Sequence, residues 1–222
     1  MKKRMPRTKL DWFFWTGFIL GSTGLLFGSY LHKIPITVTE DWGFITGALT
    51  VWWTVKEDVW NWPVGIINDI FFIILFWRAG LFADTLLQVV YIILAIWGWY
   101  WWLKGGKNKS ELKISKVSLK ETIWLTLLGI VSIILMTRYL ATVGDSAPLG
   151  DALTTVLSLV ATYMLTLKQI ENWYVWITAD VIYIWLYASQ NLYLTSVLYV
   201  IFLLMCLQGL REWRVTLSRI RG

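Results

Sequence analysis

Apolar positions along this chain gather into eight runs, at about 12–32, 42–56, 61–77, 81–103, 119–141, 149–167, 172–188 and 192–212. Several approach the roughly 20 residues that carry a helix across a bilayer core. The second and third are shorter. The pattern predicts an all-α membrane protein of about eight transmembrane helices.

Composition agrees. The chain has 222 residues, 57% hydrophobic and 15% charged. A soluble domain carries nearer a quarter of its residues charged. Aromatic residues make up 17%, with 17 Trp, a residue that favours membrane interfaces and stacking walls.

The net charge of +6 could suggest a nucleic-acid partner, but its placement argues otherwise. With eight spans both termini lie on one side. If that side is the cytoplasm, 17 Lys and Arg fall inside and only Lys33, Arg78 and Arg138 outside. This is a positive-inside pattern. The basic 104–120 stretch then reads as a solvated cytoplasmic loop near anionic headgroups. Lys2, Lys3, Arg4, Arg7 and Lys9 precede the first run, as in a signal peptide. No small-residue cleavage pattern follows, so an uncleaved helix is expected.

Catalytic chemistry finds little support. The single cysteine, Cys206, excludes an internal disulfide, and the single histidine is His32. No Cys/His cluster, phosphate-binding glycine loop or nucleophile–base set is present, so neither cofactor nor enzymatic function is expected. Gly17, Gly21, Gly24 and Gly28 share one face of the first helix, a close-packing surface in lipid. Its partner is either this chain or a neighbouring subunit.

A shift of 111 residues aligns Asn61–Trp102 with Asn172–Trp213 without gaps and with 12 identities in 42 positions. These include Asn61/Asn172, Trp62/Trp173, Asp69/Asp180, Leu81/Leu192, Gly98/Gly209 and Trp102/Trp213. The 42–56 run falls opposite the 149–167 run. Two parallel three-helix repeats are expected, joined by the 119–141 helix in a 3+1+3 arrangement, with one further N-terminal helix. The units are 1–34 (N-terminal helix), 40–103 (first repeat), 104–145 (loop and linker helix) and 146–215 (second repeat). Transporters commonly place substrate between such repeats, near the bilayer midplane.

Polar residues inside the spans mark a candidate site. Asp69 and Asp180 lie roughly 10 Å along their helices, and a carboxylate at that depth must face the bundle interior, a partner or water. Contact with substrate and a structural hydrogen bond are both open. Trp173, Trp176, Asp180, Tyr183 and Tyr187 form one helical stripe of rings around an acid. A second stripe runs through Thr85, Gln88, Tyr91, Ala95, Gly98 and Trp102. The Gln88 amide needs partners, from a ligand or from another helix.

These segments resemble the nicotinamide riboside transporter family (PnuC). The resemblance rests on Glu171-Asn172-Trp173-Tyr174-Val175-Trp176 with its W-x-x-W pattern, Ala179-Asp180-Val181, Leu192-Tyr193-Leu194-Thr195, Gly209 and Trp213. In the first repeat it adds Leu87-Gln88, Tyr91 and Gly98-Trp99-Tyr100. It covers about residues 40–215. It implies a SWEET-like fold, a bacterial inner membrane, a homotrimer, and facilitated, non-ion-coupled diffusion of a vitamin precursor trapped by cytoplasmic phosphorylation. Gly65 stands where the second repeat has Trp176, so an asymmetric site is expected. On this reading Trp173, Trp176, Tyr183 and Tyr187 stack on the nicotinamide ring. Asn68, Gln88 and Asn172 bond its amide and ribose, and Asp180 and Asp69 supply acceptors. The alternatives are thiamine or another vitamin or nucleoside, or a sugar as in SWEETs. The prolines near the pore ends that mark SWEETs are sparse here. A membrane enzyme or a scaffold leaves the aromatic–acid stripe unexplained.

Overall fold

The computed structural model describes residues 9–31, 38–78, 80 and 82–221. Lys2, Lys3, Arg4, Arg7, His32, Lys33 and Leu81 lie outside the described residues. The described residues form eight α-helices: α1 Lys9–Tyr30, α2 Val38–Val55, α3 Asn61–Arg78, α4 Phe82–Lys104, α5 Leu119–Thr142, α6 Pro148–Thr166, α7 Asn172–Ser189 and α8 Tyr193–Arg221. All eight apolar runs are helical. Four of the helices (in α4, α5, α6 and α8) are long and apolar enough to cross a membrane by length and composition.

Local chemistry fixes several ends. Ser118 caps α5 by accepting from the Glu121 N–H at 3.2 Å, with Glu121 in the first turn. Pro148 opens α6, where a missing N–H costs nothing. The chain leaves α2 and α6 through the same device. Glu57 (φ 52°) and Lys168 (φ 48°) both adopt the left-handed conformation, which stops a helix.

Polarity is inverted relative to a soluble protein. Thr154, Ser158, Asn172 and Asp180 are buried, whereas Leu128 (62%) and Leu135 (62%) of α5 are largely exposed. An apolar exterior of this extent is the surface expected against lipid.

Two three-helix sets carry the core. α2 packs on α3 and α3 on α4; α6 packs on α7 and α7 on α8. The sets interlock by exchange, α4 against α6 and α8 against α2. α5 lies outside, on α6. α1 packs on α2 by stacking Phe14 on Trp52, centroids 3.7 Å apart. Its Gly17, Gly21 and Gly24 have nothing within 4 Å of a Cβ position.

Two features depart from the sequence reading. The 104–120 stretch is not wholly a solvated loop. Leu112 N–H donates to the Trp102 carbonyl, Ser115 pairs with the 168–170 turn, and Ile114 is buried. Leu112 and Ile114 alternate with Lys113 and Ser115, so an extended strap turns its apolar side inward. The last helix continues nine residues past 212, because Trp213 and Leu217 keep one buried face.

Candidate functional site

The helices place the polar interior in two levels. The first is a packed aromatic layer at the ends of α4 and α8. Trp62 meets Trp102 edge-on, with centroids 5.4 Å apart and planes at 88°. Trp173 meets Trp213 in the same geometry, at 5.4 Å and 89°. Gly98 and Gly209 make these contacts possible. A Cβ on either would lie 2.4 Å from the ring of Trp62 or Trp173. Residues 111 apart in sequence thus make matching contacts in the two sets.

The second level lies deeper, among α3, α4, α6, α7 and α8. Tyr183 and Tyr187 stack at 5.8 Å, and Tyr199 of α8 closes on them at 4.4 and 5.3 Å. Tyr91 lies beside Ser158 and Tyr183, within the electrostatic reach of Asp69. Tyr183 also lies beside Thr154. The Ser158 hydroxyl is buried and completes no well-formed hydrogen bond. Asp180 is buried beside Cys206, and its Oδ2 has no hydrogen-bond partner among the described residues. An unpartnered acceptor among hydroxyls and ring faces is suited to a flat polar ligand.

The two sets differ in chemistry at matching positions. Where the second set has Thr154, Ser158, Tyr183 and Tyr187, the first has Gly43, Gly47, Phe72 and Phe76, each 111 residues earlier. The contacts correspond. Phe72 and Phe76 stack at 5.5 Å, and Phe72 lies over Gly43 as Tyr183 lies beside Thr154. At these four positions the first set is apolar and the second carries hydroxyls, so the second set forms a hydroxyl-rich wall.

The residues expected from sequence separate between the levels. Trp173 and Asn172 belong to the packed layer. Trp173 is committed to Gly209 and Trp213, and the Asn172 amide donates to the Gln169 carbonyl at 2.6 Å. Trp176 is half-buried against that layer. Asp180, Tyr183 and Tyr187 share the deeper level, and half-buried Asp69 acts on Tyr91 there. Gln88 is half-buried on α4. Asn68 holds α3 to α2, donating to the Gly43 carbonyl at 2.8 Å and to Thr46 Oγ1 at 2.7 Å. Tyr199, Ser158 and Thr154 escaped the sequence reading. Their signal was the face shared by Ser196, Tyr199, Cys206 and Trp213 on α8, and the Asp151, Thr154, Ser158 stripe on α6.

Asp84, Asp145 and Asp151 cluster at the other end of α4 and α6 from the aromatic layer. A cavity of about 330 Å³ opens between Lys116, Glu171, Tyr174, Arg214 and Ser218, at the helix ends and away from Asp180.

An all-helical chain with a lipid-compatible exterior and a polar aromatic interior is the architecture of a multi-pass membrane transporter. The family model described as nicotinamide mononucleotide transporter matches residues 37–215, and the chain belongs to this family. The nicotinamide riboside transporter PnuC of Escherichia coli K12 is 32% identical over 206 residues, covering 81% of this chain and 86% of that protein. The riboflavin/roseoflavin transporter RibM of Streptomyces davaonensis is 25% identical over 179 residues, covering 77% and 82%. A crystal structure of the vitamin B3 transporter PnuC superposes with a TM-score of 0.73 over 96% of this chain and 94% of that one, at 20% identity, and shows a common fold.

Proposed function

We propose that this protein is a facilitator for nicotinamide riboside. The observation that carries the proposal is the deep interior level, where tyrosine faces surround a buried carboxylate with a free acceptor oxygen. The riboside carries a fixed positive charge on a flat pyridinium ring. Aromatic faces attract such a cation by about 0.5–2 kcal/mol per good contact. The charged groups at this level are Asp69 and Asp180, both acids. The acidic cluster of Asp84, Asp145 and Asp151 would concentrate a cation at the mouth. A mononucleotide adds a phosphate that calls for Arg or Lys, and this level offers only acids and hydroxyls. The riboside therefore fits better than the mononucleotide in the family's description. Identity with a riboside transporter over most of the chain supports the same choice.

In this reading Trp176, Tyr183 and Tyr187 stack on the ring, with Trp173 as the floor beneath it. Asp180 and Asp69 accept from ribose hydroxyls, and Gln88 bonds the amide, while Asn68 and Asn172 hold the surrounding helices in place through their bonds to Gly43, Thr46 and Gln169. Transport is uniport, without ion coupling, and phosphorylation in the cytoplasm retains the product. Vesicles should therefore take up riboside to the outside concentration and no further. Accumulation that collapses when a proton or sodium gradient is dissipated would overturn the uniport reading. Calorimetry should give a Trp176→Ala protein that binds riboside about tenfold more weakly, since about 1.4 kcal/mol is one decade. Trp176→Phe keeps a ring face and should lose less. Parent-like binding by Trp176→Ala, or binding of the mononucleotide as tight as the riboside, would remove this site assignment.

A second reading, transport of riboflavin or another flat vitamin, is favoured by the RibM relative. Competition for riboside uptake by each vitamin in turn separates the two.

The family resemblance implies the bacterial inner membrane, and the 17 to 3 division of basic residues supports cytoplasmic termini. Reporter fusions at residues 1, 110 and 222 should all read cytoplasmic. The matching contacts of the two three-helix sets support the 3+1+3 repeat reading. Among the described residues Gly17, Gly21 and Gly24 face open space, which leaves α1 room to meet another copy in the homotrimer that the family resemblance implies.

A further inference from the structure

The bonds that tie the two three-helix sets together at the aromatic layer are reciprocal. Trp102 Nε1 donates to the Leu165 carbonyl at 3.0 Å. Trp213 Nε1 donates to the Thr54 carbonyl at 3.1 Å. Both bonds are buried. Leu165 lies 111 residues after Thr54, as Trp213 does after Trp102. Each set therefore caps the other with the same donor and the same acceptor position. The two indoles face each other at 6.1 Å between them.

At the centre of this exchange Lys168 meets Glu57, Nζ to Oε2 at 3.5 Å. These residues are also 111 apart, with nearly the same left-handed backbone. They mark the pseudo-twofold axis. Lys168 has a side chain only 3% exposed and places Nζ 4.3 Å from the centroid of Trp102. A second ion pair, Lys56 to Glu212 at 2.7 Å, again joins the first set to the second. The opposite end of α4 and α6 is acidic. There Asp84, Asp145 and Asp151 gather like charges.

We propose that the aromatic layer is the closed gate of the transport pathway and that Glu57–Lys168 is its latch. A solute reaches this end only if the two sets part. Parting breaks the two indole–carbonyl bonds together, because each spans the same seam. The two indole bonds and the ion pairs at this end bias the molecule toward closure there. Glu57 and Lys168 act through the indoles and not on substrate, so they are positioning residues. The latch holds whichever solute is carried, and its test uses none.

Cys206, the single cysteine, is buried in the same apolar cluster as Trp102 and Trp213. Its alkylation by a water-soluble maleimide, in full-length protein reconstituted into vesicles, reports opening of the gate. Lys168→Met and Glu57→Gln should each raise the alkylation rate about tenfold, through a larger open population. Trp213→Phe keeps the ring and removes the donor, and should act in the same direction. The exchanged protein, Glu57→Lys with Lys168→Glu, should react within about twofold of the parent. The axis sets the new lysine over Trp213 as Lys168 now lies over Trp102. Thermal unfolding of each variant separates gate opening from general loosening. If Lys168→Met does not fold, Glu57→Gln and the exchanged protein decide. Folded single variants that react at the parent rate overturn the proposal. So does an exchanged protein that reacts as fast as the single variants.

Discussion

Gly209→Val protein is expected to lose at least about 3 kcal/mol of stability, the upper range for overpacking a tight interior. A Cβ alone at this position falls 2.4 Å from Trp173 Cη2, and the further methyls of valine have no space to turn into. Gly98→Val should behave alike, because Trp62 closes over Gly98 at the same distance. Thermal unfolding in detergent reads the loss. The cause is specific, so the remedy is too. Trp173→Leu in the Gly209→Val background should recover part of the stability that Gly209→Val forfeits, a positive coupling between neighbours. If Gly209→Val unfolds at the parent temperature, the packed layer has been misjudged.

The second large effect concerns the hydroxyl-rich wall. The combined Ser158→Gly, Tyr183→Phe and Tyr187→Phe protein carries on both sides the groups that the first set has at Gly47, Phe72 and Phe76. Three neutral hydrogen-bonding groups are worth about 2–3 kcal/mol together, so riboside should bind about 30–150-fold more weakly. Ring faces and volume are nearly kept, so stability should change little. Parent-like affinity in this protein would move the ligand away from α7. The changes Phe72→Tyr and Phe76→Tyr on the opposite wall should affect binding much less, since they add hydroxyls where no partner set exists.

The eight helices were legible because a membrane span is a long apolar run, and length alone distinguishes it from a buried strand. Their ends were less so. The polar tail of α8 reads as a loop, yet Leu217 falls on the same helical face as Trp213 and carries the helix onward. The 104–118 strap was hidden for a related reason. Its burial rests on two apolar residues, Leu112 and Ile114, among lysines. Within the site, spacing placed Trp173 and Asp180 on one stripe, which they share. It could not tell that the rise from 173 to 180, roughly 10 Å, carries that stripe from a packed layer to a polar interior. Tyr199 was missed because it comes from α8, and only packing brings it onto Tyr183.

Position 57 meets position 168 across the line that relates the two halves. Any residue on such an axis meets its own kind when the halves are identical chains. Two glutamates there would repel, and so would two lysines. The opposite charges of Glu57 and Lys168 are available only to halves whose sequences differ, where each position can change alone.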